Sequence, residues 1–163
     1  MKILFKKLIL SLTAMCIFFM SGCNSNKANE NSVVNKQFEY FDVVEMINTG
    51  SYDDAKVRID EVYADADDYS TSKGYNKADL LHKLYSEQEM YNEAMDVMLK
   101  VIKDNKYLDN LEKYENEASE EKMTFKITMS QISKLLNNVS EDKRAEVVSL
   151  ISEDIINKYA EKE

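Results

Sequence analysis

The chain has 163 residues, no proline, three glycines and two cysteines. Its 21 basic and 30 acidic side chains leave a net charge of −9 at pH 7, which argues against nucleic acid, whose phosphates demand clustered Lys and Arg. Two cysteines and a single histidine leave no material for a disulfide framework or a Cys-based zinc site.

The first elements are read from the N-terminal end. Lys2, Lys6 and Lys7 form a positive segment, and Leu8 to Met20 is an uncharged apolar run of thirteen residues. That run is shorter than the roughly 20 residues needed to cross a bilayer core. The small residues Ser21 and Gly22 follow, then Cys23. The stretch Met20-Ser21-Gly22-Cys23 resembles the lipobox of bacterial lipoprotein signal peptides, a resemblance that covers residues 1 to 23. It implies that residues 1 to 22 are removed, and that Cys23 is acylated and becomes the first mature residue. The domain is then held on the extracytoplasmic side of the cell membrane. The alternatives are an ordinary secretory signal and an uncleaved anchor. Cys16 leaves with the signal, and the mature chain of 141 residues suffices for one domain burying about two-thirds of its unfolded surface. Loss of three lysines takes the net charge to −12, which argues against a folded part lying on anionic lipid. The lipid must provide the attachment, at about 0.8 kcal/mol per buried CH₂.

Residues 24 to 36 are polar and Asn-rich, with Val33 and Val34 as their only strongly apolar members. Such a stretch cannot offset its ordering entropy by burial. It is expected to be a flexible tether with a reach of roughly 20 Å.

Residues 37 to 163 read as a single all-α domain, since period-2 alternation and hairpin dipeptides are missing. Tyr40, Val43, Val44 and Ile47 form one helical stripe, stopped near Gly50. Ala55, Ile59, Val62, Tyr63 and Ala66 form a second. Residues 67 to 75 read as a polar loop. Asn76 and Asp79 have capping-box spacing, predicting a third helix with Leu81, Leu84 and Tyr85 on one face. Ala94, Met98, Val101 and Ile102 mark a fourth helix. Leu108, Leu111 and Tyr114 predict a short one. Phe125, Met129, Ile132, Leu135 and Leu136 mark another, broken by Asn137-Asn138. Ser140 is expected to cap a single last helix carrying Val148, Ile151, Ile155 and Tyr159 inside.

Two of these hairpins repeat each other. Gly50-Ser51-Tyr52-Asp53-Asp54-Ala55 is followed by Ile59 and Val62. Glu89-Met90-Tyr91-Asn92-Glu93-Ala94 is followed by Met98 and Val101, at a constant offset of 39 residues. Over about residues 37 to 106 this resembles tetratricopeptide (TPR) repeats, in which an aromatic opens the second helix and a small Ala lets it approach the first. Leu81 and Tyr85 match the family's inner-helix Leu and Tyr. Asp42 and Met46 in the first copy do not, and the offset exceeds the usual 34 residues, an excess that loop 67 to 75 could absorb. The resemblance implies a superhelix of antiparallel hairpins, with residues 107 to 163 as capping helices. An unrelated antiparallel bundle fits the same periodicity.

No catalytic constellation can be assembled, so the chain is expected to be no enzyme and to take no cofactor or metal. His82 stands alone, mid-helix beside Leu81. Asp65, Asp67 and Asp68 lack the calcium-loop order, with Tyr69 and Ser70 where an oxygen ligand and Gly belong, and read as solvated loop acids. Asn138-Val139-Ser140 reads as a helix cap. Residues 37 to 68 hold ten acids and two bases, a solvated face or a dock for a basic protein.

The expected function is that of a membrane-anchored scaffold or adaptor binding a protein or peptide. Alternatives are a small-ligand or transport-accessory lipoprotein and an immunity or surface-exclusion lipoprotein. By the TPR resemblance, the first helix of each pair lines the binding groove. That places Gln37, Tyr40, Val44, Ile47 and Asn48 in one wall, and Asn76, Asp79, Lys83, Ser86 and Glu87 in the next. Val44 and Ile47 read equally as apolar groove residues or as core. If Cys23 is the acylated residue, Cys23→Ala abolishes metabolic labelling by a fatty acid; label persisting in that variant would overturn the lipobox assignment.

Overall fold

The computed structural model describes residues 30–116 and 119–160, with side chains from residue 39 onward except residue 115. The signal segment, Cys23 and residues 24–29 of the expected tether lie outside these. Every regular element is helical: α1 (Glu30–Asn48), α2 (Tyr52–Val62), α3 (Ser72–Glu87), α4 (Tyr91–Asp104), a 3-10 turn (Tyr107–Asn110), α5 (Leu111–Asn116), α6 (Glu120–Leu135), α7 (Glu141–Leu150) and α8 (Glu153–Tyr159). The described chain is therefore all-α, and none of its helices is long and apolar enough to cross a membrane. Residues from Asn35 onward form one unit.

The two hairpins close through the same turn. In the first, the amides of Thr49, Gly50 and Ser51 donate to the carbonyls of Glu45, Ile47 and Met46 at 2.9, 3.1 and 2.9 Å. In the second, Gln88, Glu89 and Met90 donate to Leu84, Ser86 and Tyr85 at 3.3, 3.1 and 2.8 Å. Every donor and acceptor is displaced by 39 residues. The pattern is a helix C-terminus closed through a left-handed residue. Gly50 takes that conformation at φ 80, and Glu89 takes it at φ 58, where a side chain costs roughly 1–2 kcal/mol. Ala55 and Ala94, both fully buried, lie in the first turn of the outgoing helices.

The apolar stripes then close a common core. Val43, Ile47, Ala55, Ile59, Leu81, Leu84, Ala94, Met98, Val101, Phe125, Met129 and Ile132 all belong to it. Helix α3 packs most extensively on α4 and also on α2, while α6 packs on α4 and carries α8. Phe125 of α6 anchors an aromatic cluster, with ring centroids 5.2 Å from Tyr107, 5.2 Å from Tyr114 and 4.9 Å from Tyr159. Asn92 and Ser140 bond reciprocally (3.0 and 3.2 Å), and Lys143 reaches Asp96 at 2.7 Å, fastening α7 to α4.

Three boundaries differ from those expected. Helix α1 begins at Glu30, so residues 30–36 are helical rather than tether. Helix α3 begins a turn early: Thr71 is extended and its hydroxyl accepts from the Gly74 amide at 3.0 Å, which leaves Asn76 and Asp79 inside the helix. The last helix is two. Ser140 does cap α7, accepting from Lys143 N–H, but Ile151 is extended (φ −132, ψ 110) and Ser152 caps α8 through Ile155 N–H. Val147 rather than Val148 is the buried valine of α7.

The early start of α3 needs Gly74. A Cβ there would stand 1.9 Å from the Asp68 carbonyl oxygen and 2.6 Å from its carbon. In an open helix Gly→Ala stabilises by roughly 0.5–1 kcal/mol; here Gly74→Ala is expected to destabilise by about 1–3 kcal/mol through overpacking. Thermal unfolding checks this, and an unchanged or raised midpoint would contradict the close approach.

Candidate functional site

The expected groove residues lie on α1 and α3, which meet through Tyr40 and Asp79. On α1, Tyr40 and Val44 are half-buried and Asn48 is exposed. Ile47 is 1% exposed, so it belongs to the core and not to a groove wall: the i+4 spacing from Val43 turns it inward with that residue. The Gln37 side chain lies outside the described residues. On α3, Asp79, Lys83 and Ser86 are half-buried while Asn76 and Glu87 are exposed. Burial leaves the Ser86 hydroxyl without a hydrogen-bond partner among the described residues.

The centre of this surface is Asp79. Its Oδ2 accepts the Tyr40 hydroxyl of α1, and its Oδ1 accepts Gln131 Nε2 of α6 at 3.3 Å. Tyr40 and Asp79 are 39 residues apart, so they hold the same place in consecutive hairpins. One turn earlier on α3 stands Tyr75, whose phenol Thr128 of α6 lowers against the effect of burial. Thr128, wholly buried, donates to the Thr124 carbonyl at 2.9 Å. One carboxylate thus joins three helices. The separation of Tyr40 and Asp79 equals the repeat offset and could be found from the sequence. Nothing in the sequence pattern points to Gln131 or Thr128, because α6 stands outside the repeat.

The electrostatics follow from burial. Burial raises the Tyr40 hydroxyl far above its ordinary range, and the Asp79 charge adds to the effect. Burial and then Asp79 push Tyr75 up to about 12. Both phenols therefore remain protonated donors at neutral pH. Burial lowers the His82 imidazole, an effect that Asp79 opposes and Lys83 reinforces.

The loop acids are exposed, as expected, and each makes surface contacts. Asp65 pairs with Lys73, Asp67 pairs with Lys77 at 2.7 Å, and Asp68 accepts from Ser70 N–H at 2.9 Å and from its hydroxyl at 2.6 Å. Tyr69 is pinned to the end of α4: its amide donates to Asp104 at 3.0 Å, and Lys100 lies 4.6 Å from its ring centroid. An open cleft of about 400 Å³ lies beside it, lined by Asp67, Asp68, Ser70, Lys100 and Asp104. Among the described residues no three acidic, His or Cys side chains are grouped to hold a metal ion. Of the ten acids in residues 37 to 68, Glu39 and Glu61 face Arg58 and Asp60 faces Lys56. Asp42, Glu45, Asp53 and Asp54 stand exposed.

No protein-family model, curated protein or solved structure matches the chain.

Proposed function

We propose that the protein is an extracytoplasmic lipoprotein, anchored to the cell membrane through Cys23, whose TPR-like hairpins bind another protein or an extended peptide. The observation that carries this reading is the repeat itself. Two hairpins with the same turn, displaced by 39 residues, set α1 and α3 side by side with equivalent positions in register. Helix α6 extends the row through Gln131. In a helical repeat each unit buries its apolar face against its neighbours, and the inner row of helices is left as a continuous surface.

The contact residues on this surface are Val44 and Asn48 on α1 with Lys83 and Glu87 on α3. One base, one acid, an amide and an apolar side chain suit an extended peptide, whose backbone and side chains offer donors, acceptors and alternating apolar groups. Tyr40 and Asp79 face each other and supply the frame. The acids of the first hairpin favour approach of a basic partner through long-range steering, not through contact. The signal segment with its Met20-Ser21-Gly22-Cys23 stretch supports the anchor. The reading includes no catalysis.

Replacing Asn48, Lys83 and Glu87 together by alanine tests the surface while leaving the Tyr40–Asp79 bond in place. Partner capture after cross-linking in intact cells should fall, while unfolding temperature barely moves, because surface changes typically cost within about 0.5 kcal/mol. Unchanged capture by a folded variant would move the binding site to the acidic outer face of residues 53 to 68.

A further inference from the structure

We propose that Asp79 is a latch that fixes α1 against α3, and that losing the Tyr40 hydroxyl from its carboxylate loosens α1 without unfolding the other helices. The proposal goes beyond the binding reading and holds whatever the surface binds.

Three observations carry it. First, the carboxylate is divided between two neighbours: Oδ2 takes Tyr40 from α1 and Oδ1 takes Gln131 from α6. Second, the two sides are unequal. Helix α6 is held independently of Asp79, since it packs on α4 and carries α8. Among the described residues, Tyr40–Asp79 is the one hydrogen bond between α1 and α3. Third, α1 is covered less than its counterpart. Phe41 is 44% exposed and Asp42 and Glu45 are exposed, whereas Leu80, Leu81 and Leu84, 39 residues on, are all buried. Helix α1 therefore has less apolar burial to hold it than α3, and more of its placement rests on one charge-assisted bond.

Tyr40 and Asp79 are both half-buried and not sealed, so another donor can compete for the carboxylate. A cationic or hydroxylic group arriving at Asp79 displaces the phenol and releases α1, while packing on α4 keeps α6 in place. Tyr40 and Asp79 are then positioning residues: they decide whether the inner row is one surface or two.

Hydrogen exchange read by mass spectrometry on the full-length protein in detergent tests this. Tyr40→Phe removes one oxygen. The amides of α1 should exchange roughly tenfold faster or more, the scale of one lost bond to a charged group, while α2, α4, α6 and α8 keep their rates and overall helicity is unchanged. Asp79→Asn leaves one acceptor oxygen for two donors and should give the same pattern at smaller amplitude. Gln131→Ala should leave α1 unaffected. Uniform acceleration across every helix would mean that the bond adds only to global stability and would overturn the latch. Unchanged exchange in α1 in both Tyr40→Phe and Asp79→Asn would overturn it as well.

Discussion

Burial of α3 on two sides is the constraint on which the rest of the structure depends. Gly74, Ala78, Leu80, Leu81 and Leu84 are all buried on this helix, because it meets α2 on one flank and α4 on the other. Full burial of each leucine is worth roughly 1.5–3 kcal/mol, so these residues fix the rotation of α3 about its axis. That rotation turns Asp79 toward Tyr40 and Gln131. The polar junction is thus positioned by the apolar one, and its three partners need no order of their own beyond helical spacing. The first hairpin shows the contrast. Its α1 presents Phe41, Asp42 and Glu45 where α3 presents three buried leucines, as a terminal unit with a polar outer side must.

Most of the fold was legible in the sequence because its core obeys helical period. The stripes on α4 and α6 are buried residue for residue, the second stripe at all but Val62 and the first at Val43 and Ile47, and the 39-residue offset of Tyr52/Tyr91 and Ala55/Ala94 reappears as two turns with the same hydrogen-bond pattern. The boundaries failed where two signals competed. Residues 67 to 75 carry loop composition, yet Thr71 caps a helix there. The Gly that looks like a breaker is the residue that lets Asp68 press against the first turn. Asn76 and Asp79 mimic a cap, but the aspartate is engaged across helices. In the last segment the positions 148, 151, 155 and 159 fit one continuous helix. The run Ser152-Glu153-Asp154 is itself a start signal, and it wins.

The site was legible only in part, and for a related reason. Tyr40 and Asp79 share the repeat offset, so the repeat brings them together. Ile47 has the same helical phase as the core and was claimed by it. Gln131 comes from a helix that does not repeat, and only tertiary packing delivers it to Asp79. In the proposed binding reading, Tyr40 and Asp79 hold the frame of the surface while Asn48, Lys83 and Glu87 are the residues offered for recognition, and the proposed lipid on Cys23 would keep that surface near the membrane.

The central claim is that the inner row, and not the acidic outer side, meets the partner. Site-specific photo-cross-linking in intact cells tests it most directly, with the photoreactive residue placed in turn at Asn48, Lys83 and Glu87 and, on the acidic outer side, at Asp54 and Glu61. A discrete adduct from the first three positions alone is the predicted result. Adducts formed only from Asp54 or Glu61 would contradict the account.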